Sequence, residues 1–398
     1  MNRRYTIFIN HPSHGLTDFE PWGDGLIAYQ FIDRLAQRGH RLYIATPIVK
    51  LRGPLQPDAH LHFVKTWSTY EVAYPSWKHR IEYALRVRHL FRKLRKRTTF
   101  DIIHQLNPVT SGVNLFLPTG SIPFVTGLVW PQWPSATPRS GFAAACLKAT
   151  RNLLRWELFR RASCILIAVP GAREVLPDSP SIQSRVRLLH CGIDTSHFSP
   201  SPNTSTVTEF DPHILFLATL NRNKGIYVLL EAFEAVVKHK PMARLTIAGD
   251  GPEREGVKKA VEASPAAERI SLVGSIGRDK VADAFRSCAV YCLPSFGEPF
   301  GLSALEAMSC GKPVVVTAAG GLDYLVDDRG GAKVPVGDAN ALADALIQLL
   351  RDPLLCQQIG AHNREVATSR YDWEVVIDKL EQIYESTIQD GNAATNQD

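Results

Sequence analysis

Two carboxylates lie eight positions apart in the stretch Ser295-Phe296-Gly297-Glu298-Pro299-Phe300-Gly301-Leu302 and its continuation to Glu306. The Phe-Gly-Leu turn between them reads as the start of a helix over Ser303 to Ser309. A helix start presents unpaired backbone N–H groups and a positive dipole end, which together suit a phosphate. Gly301 lets the backbone approach a ligand closely. Glu298 and Glu306 are then placed to accept hydrogen bonds from hydroxyls on either side of that phosphate. Phosphate in the middle with polyols at both ends is the outline of a nucleotide sugar. The alternative is a pair of solvated glutamates on a surface turn.

The elements that must hold such a site alternate along the chain. In the first half, strands are expected at Thr6–Asn10, Arg41–Ala45, 61–64, Asp101–His104, Pro123–Thr126, Cys164–Ala168 and Val186–Leu189. Helices are expected over 25–38, 71–97 and 142–162. Ser199 to Thr206 is rich in proline and serine and reads as a linker. A second alternating set follows, with strands at His213–Ala218, Ala243–Ala248, Ile270–Val273, Val290–Leu293, Pro313–Thr317 and 332–334. Its helices are expected at Ile226–Lys238 and Pro252–Ala263, with an amphipathic helix over Trp373–Ile388 near the end. Strands alternating with helices argue for α/β architecture with doubly wound parallel sheets. Ligands of such sheets sit beyond the carboxyl ends of the strands, in strand-to-helix loops. The motifs of this chain fall in those loops.

Composition agrees with two cored domains. The chain has 398 residues, 45% hydrophobic and 21% charged, enough for two domains of ordinary size. Its 7 cysteines are scattered without a CxxC pair, which suits a reducing compartment and no metal site. The start, Met1 to Tyr5, runs directly into a short strand and lacks the pattern of a signal peptide. No apolar run is long enough to span a bilayer. The net charge of +6 is unevenly spread. Arg80, Arg86, Arg88, Arg92, Lys93, Arg95, Lys96 and Arg97 crowd one helix, and Lys148, Arg151, Arg155, Arg160 and Arg161 a second. Two readings stand: ordinary solvated helix faces, or attraction to an anionic membrane surface. No nucleic-acid motif accompanies the charge, so nucleic acid is not expected as a partner.

Glu-x7-Glu in the setting Gly-Glu-Pro-Phe-Gly-Leu, followed by Gly311-Lys312-Pro313-Val314-Val315-Val316, resembles the retaining glycosyltransferases of family 4. The resemblance extends over nearly the whole chain. It implies the GT-B fold, two Rossmann-like domains facing a cleft. An N-terminal acceptor domain would occupy 1–200, a linker 201–208, and a nucleotide-sugar domain 209–372. The helix at about 373–388 would pack back on the first domain, ahead of a tail at 389–398. His190-Cys191-Gly192-Ile193-Asp194 through Phe198 and Pro200 matches a further family pattern and reads as architectural.

The resemblance also assigns roles. Thr219-Leu220-Asn221-Arg222-Asn223-Lys224-Gly225 stands where relatives carry Gly-Arg-Leu-x-x-x-Lys-Gly, whose Arg and Lys clamp the donor diphosphate. Lys224 and Gly225 match. Thr219 occupies the usual Arg position, and Arg222 is the candidate replacement. Glu298 would bond hydroxyls of the transferred sugar, and Glu306 the ribose. The backbone of Phe300, Gly301 and Leu302 would meet sugar or phosphate. Val273 and Gly274 fall where relatives hold the base through backbone groups, so the base is not legible. Gly249-Asp250-Gly251-Pro252 reads as a structural turn and not a dinucleotide fingerprint, since position 254 is Arg.

On the acceptor side, Gly23 and Gly25 stand where relatives have a phosphate-approaching glycine pair, here split by Asp24. Asp24 would either cap the helix or orient an acceptor hydroxyl as its base. His104 closes the family-like strand Asp101-Ile102-Ile103-His104, with structural and catalytic readings evenly balanced. A second histidine common in relatives is missing from Thr126 to Trp130. Trp130 and Trp133 would form an acceptor wall or pack in the core. The expected activity is metal-free and cofactor-free transfer of a sugar from a nucleoside diphosphate sugar to a glycan or lipid-linked glycan. It would occur in the cytoplasm or on the inner membrane face, in surface polysaccharide or glycoconjugate synthesis. The alternative is a non-catalytic relative that binds a nucleotide sugar or glycan.

Overall fold

The computed structural model describes residues 4–12, 15–19, 23–64, 77–106, 117–131, 142–201 and 210–395. The chain divides into two compact units.

The first unit carries β1 (Thr6–Asn10), β2 (Leu16–Thr17), α1 (Gly23–Gln37), β3 (Arg41–Thr46), β4 (Val49–Lys50), β5 (Ala59–Phe63) and α2 (Trp77–Arg95). It continues with β6 (Ile102–Leu106), β7 (Phe124–Val129), α3 (Phe142–Arg161), β8 (Cys164–Ile167), α4 (Pro180–Gln183) and β9 (Val186–Leu188). Seven strands form one parallel sheet in the order β5-β3-β1-β6-β7-β8-β9, and β2 pairs with β4 beside it. The central strands are near-continuous apolar runs because helices cover both faces. Ile7, Phe8, Ile9, Ile102, Ile103 and Ile165 are fully buried. Phe8 packs against Phe91 of α2 with ring centroids 4.8 Å apart.

The second unit carries β10 (His213–Leu217), α5 (Ile226–His239), β11 (Arg244–Ala248), α6 (Arg254–Ala263), β12 (Ile270–Gly274), α7 (Arg278–Ser287), β13 (Val290–Leu293) and α8 (Leu302–Ser309). It ends with β14 (Val314–Thr317), α9 (Gly320–Leu325), β15 (Gly331–Val334), α10 (Ala339–Arg351) and α11 (Pro353–Val366). Its six-stranded sheet is parallel, in the order β12-β11-β10-β13-β14-β15. Helices α7, α10 and α11 are absent from the sequence reading. The signals of α10 and α11 were caps: Asp338 accepts from Ala341 N and Asp352 from Leu355 N, each at 2.9 Å, with Pro353 at the first helical position of α11.

The last helix, α12 (Trp373–Thr395), is counted with the first unit from Val376 onward. There Arg38 bonds Asp378 and Glu381, and His40 Nε2 lies 2.7 Å from Glu381. The division between units falls at Cys191/Gly192 rather than at residue 200. Two arginines hold the intervening segment in the second unit. Arg364 donates to the carbonyls of Thr195 and Phe198, and Arg286 to those of His197 and Ser199, at 2.7–2.9 Å. Residues 202–208 of the expected linker lie outside the described residues. Cys164, Cys191, Cys288, Cys292, Cys310 and Cys356 are buried free thiols.

Candidate active site

The donor-side motifs converge at the carboxyl ends of β10 and β13. The chain leaves β10 through Thr219 and Leu220 into a single 3-10 turn, Arg222–Lys224. Asn221 caps that turn by accepting from the Lys224 N–H at 3.1 Å. Gly225 follows at φ +73, and a β-carbon there would lie 1.8 Å from the Pro294 carbonyl oxygen. Only glycine lets this loop lie flat on the loop leaving β13. The two loops are stitched together at the Asn223 carbonyl, which accepts from Ser295 Oγ and from Phe296 N, both at 2.8 Å. Thr317 Oγ1 donates to the Ser295 carbonyl from the neighbouring strand.

This stitching brings together Lys224 and Glu298, which form an ion pair with side chains 16% and 8% exposed. The Glu298 carbonyl accepts from Gly321 N at 2.7 Å, fixing the backbone below the carboxylate. Gly301, at φ +98, stands at the start of α8. Phe300 is buried, edge-on to Tyr371 with centroids 5.8 Å apart. Leu302 is the first residue of α8, and its successors carry Glu306 inward. Burial pushes the Glu306 carboxyl up to about 7, with Arg278 pulling the other way. Among the described residues no donor bonds the Glu306 carboxylate. Buried Tyr291 donates to the Leu217 carbonyl at 3.0 Å and accepts from Ser303 Oγ at 2.8 Å. Its phenol is raised, mainly by burial, with Glu298 and Glu306 adding to the shift. Both carboxylates therefore act on one tyrosine.

The remaining donor candidates are less engaged. Thr219 is exposed. Arg222, 79% exposed, bonds Glu253 at 3.1 Å, and Tyr227 donates to the same carboxylate at 2.6 Å. Its guanidinium is thus committed to Glu253, a partner that the sequence reading did not foresee. Val273 is exposed at the end of β12, where the Gly274 carbonyl accepts from Gly249 N at 2.8 Å. Asn221, Asn223 and Ser295 are the support residues that sequence reasoning missed. Asn221 alone left a signal, as a capping residue before a turn.

The first unit shows the surroundings of Asp24 and His104. Helix α1 begins at Gly23, so Asp24 lies within its first turn rather than at the cap; there its charge complements the helix dipole. Gly23 is exposed and Gly25 is buried, with the Gly15 carbonyl 2.2 Å from where a β-carbon would stand. His104 is fully enclosed. Its Nδ1 lies 2.5 Å from Tyr384 Oη and its Nε2 3.2 Å from the Gly127 carbonyl. Burial holds the imidazole down at about 3, so it stays neutral. Trp130 is half-buried after β7; Trp133 lies outside the described residues. Among the described residues no group of three or more His, Cys, Asp or Glu is placed to hold a metal ion.

Two family models match the chain, Glycosyltransferase Family 4 over residues 25–197 and Glycosyl transferases group 1 over residues 202–366. The chain belongs to the family 4, group 1 glycosyltransferases. This glycosyltransferase is 28% identical over 356 residues to a phosphatidyl-myo-inositol mannosyltransferase of Mycobacterium leprae, covering 86% of this chain and 89% of the relative. It is 25% identical over 384 residues to the N-acetyl-alpha-D-glucosaminyl L-malate synthase of Bacillus anthracis, covering 92% and 95%. Its fold is GT-B, two parallel-sheet α/β domains, shared with a sucrose-phosphate synthase from Thermosynechococcus elongatus (TM-score 0.75, 22% identity, 96% of this chain and 98% of that one). A UDP complex of the Anabaena protein HepE has the same fold (TM-score 0.69, 17% identity, 96% and 100%).

Proposed function

We propose that this glycosyltransferase moves a sugar from a nucleoside diphosphate sugar, held on the second unit, to a glycan or lipid-linked acceptor on the first, with retention of anomeric configuration. The observation that carries the reading is the Lys224–Glu298 pair at the mouth of a parallel sheet, with Glu306 on the adjoining helix. Lys224 supplies positive charge for a diphosphate, and the first N–H groups of α8 add the dipole end of a helix. As the leaving phosphate gains charge, both interactions strengthen, which lowers the barrier without a metal ion. Glu298 takes the sugar hydroxyls and Glu306 those of the ribose, as charge-assisted acceptors. The backbone of Phe300, Gly301 and Leu302 borders the same space. Attack from the face that the diphosphate leaves accounts for retention without an enzyme nucleophile. Intact Lys224, Glu298 and Glu306 favour transfer over binding alone.

The acceptor reading draws on two supports. The relatives include enzymes named for phosphatidyl-myo-inositol and phosphatidylinositol. The first unit also carries apolar side chains among its arginines. Ile81 and Leu85 of α2 are 42% and 50% exposed, beside Arg88, Arg92, Lys93 and Lys96. On α3, Leu153 and Trp156 are 64% and 43% exposed, and the Arg160 guanidinium lies 5.7 Å from the Trp156 ring. The β5-to-β6 and β7-to-β8 connections step the same way along the sheet, so right-handed crossovers put α2 and α3 on one face. Apolar side chains ringed by cations on one face suit an anionic membrane surface. No helix among the described residues is long and apolar enough to cross a membrane. The enzyme is proposed to work as a peripheral protein on the cytoplasmic face of a membrane.

The test is a thermal-shift panel of UDP, GDP, ADP, CDP and dTDP on wild type and Lys224→Ala. Ligand at a hundred times its dissociation constant stabilises by about 2.7 kcal/mol, a shift of several degrees. One nucleotide should win, and Lys224→Ala should lose the shift. Absence of any shift would sink the donor assignment. Release of the nucleoside diphosphate only when acceptor is added would separate transfer from binding.

A further inference from the structure

The site holds its own counter-ion. The ammonium of Lys224 is bonded to the carboxylate of Glu298, and both are largely withdrawn from water. Among the described residues it is the one group bonded to that carboxylate. The Tyr291 hydroxyl is committed to Leu217 and Ser303, Arg222 is tied to Glu253, and Arg278 acts on Glu306. The two loops that present the pair are locked at the Asn223 carbonyl. Glu298 therefore lies beside any anion that binds Lys224.

A buried carboxylate deprived of its cation is strongly disfavoured, and two anions sharing one cation repel. A diphosphate and Glu298 thus compete for Lys224. We propose that Glu298 is an internal competitor that expels the nucleoside diphosphate product from Lys224, in addition to receiving the sugar. This rests on the reading that Lys224 holds the donor diphosphate. With the intact donor, sugar hydroxyls supply new hydrogen bonds to Glu298 as it gives up the ammonium. Both the diphosphate and the carboxylate are then satisfied. After transfer the sugar has left with the acceptor. Glu298 then faces the diphosphate with no donor of its own, and re-forming its pair with Lys224 restores one. The same exchange makes the site prefer nucleotide sugar over nucleotide. Glu298 is usefully distinct from Glu306 here, since Glu306 has no cation bonded to it among the described residues.

The experiment is calorimetric titration of UDP and of GDP, the tighter one being carried through, into wild type, Glu298→Gln, Lys224→Met and the double variant. Glu298→Gln keeps the shape and removes the charge. It should tighten nucleoside diphosphate binding at least fivefold, while Lys224→Met weakens it at least tenfold. In the Lys224→Met background, Glu298→Gln should make no difference. Glu298→Ala, as a second variant, should move affinity in the same direction as Glu298→Gln. Unchanged or weaker binding in both Glu298 variants, with Lys224→Met still weakened, overturns the competitor role and leaves the donor reading standing. Unchanged binding in Lys224→Met overturns the donor reading and the competitor role with it.

Discussion

His104 Nδ1 lies 2.5 Å from the hydroxyl of Tyr384, joining the carboxyl end of β6 to the last helix of the chain. The opposite ring nitrogen settles the tautomer. The Gly127 carbonyl, 3.2 Å from Nε2, can only accept, so Nε2 carries the proton and Nδ1 accepts from Tyr384. The rings meet edge-on with centroids 5.6 Å apart. A histidine in a family-like motif is here a fastener within the first unit.

Tyr384→Phe removes the donor and leaves Nδ1 buried and unsatisfied. The expected cost is about 1–3 kcal/mol of stability, read as a lower urea midpoint. Nucleotide affinity should stay within twofold of wild type, because Lys224, Glu298 and Glu306 all belong to the second unit. A large loss of nucleotide binding in this variant would contradict the fastener role.

The same burial makes stability depend on pH. His104 titrates at about 3 in the folded chain, against 6.5 for an unperturbed imidazole. Between those values the unfolded chain binds a proton that the folded chain does not. The contribution of neutral His104 is complete above pH 6.5 and falls as pH drops toward 3, by about 1.4 kcal/mol per pH unit. Urea midpoints measured from pH 7 to pH 4 should decline, and His104→Gln should flatten part of that slope.

The sheets were legible because their strands are apolar runs such as Ile7–Ile9 and Val314–Val316, separated by glycine-rich turns. Glu298 and Gly301 stood out because their motif spans a loop and a helix start, and Lys224 because it precedes a glycine in the loop that follows a strand. The ion pair did not, since Lys224 and Glu298 are 74 residues apart and meet through a backbone carbonyl at Asn223. His104 was left open between two readings for a related reason. Its partner Tyr384 is 280 residues away, and no local pattern tells an enclosed imidazole from an open one. Helices α10 and α11 carry ordinary amphipathic sequence with Asp caps and could have been found from those caps.

Glu306 offers a pH handle on binding. Its carboxyl titrates at about 7, so near neutrality it is about half ionised. The ionised form accepts hydroxyl hydrogen bonds more strongly. Nucleotide affinity should therefore rise as pH increases from 6 to 8, and Glu306→Gln should abolish that rise. Stability moves oppositely: the folded chain holds the proton more tightly than the unfolded one, so it loses this support as pH climbs from 4.5 to 7.

Membrane attachment predicts a dependence on both charge and apolar side chains. Vesicles of phosphatidylcholine with phosphatidylglycerol should co-sediment the enzyme at low salt and release it at about 0.5 M, where screening is strong. Leu85→Ser with Trp156→Ser should weaken vesicle binding several-fold without altering nucleotide affinity, since both side chains are solvent-exposed. Equal binding to neutral vesicles would rule out the electrostatic part of the proposal.

Gly225 and Gly274 share a φ of +73, yet their surroundings differ. A β-carbon on Gly225 would stand 1.8 Å from the Pro294 carbonyl oxygen, whereas on Gly274 its nearest neighbour would be an Arg254 nitrogen at 3.9 Å. Gly274→Ala should thus cost only the backbone term, about 1–2 kcal/mol. Gly225→Ala carries that term and a clash that only a loop shift relieves. The shift must part the loop from Pro294 and strain the bonds that Ser295 and Phe296 make to Asn223. Lys224, one residue before, would then lose its register with Glu298. Gly225→Ala should lower stability by more than Gly274→Ala and also weaken nucleoside diphosphate binding at least tenfold. Equal losses in the two variants would mean that the close approach to Pro294 does not set the site.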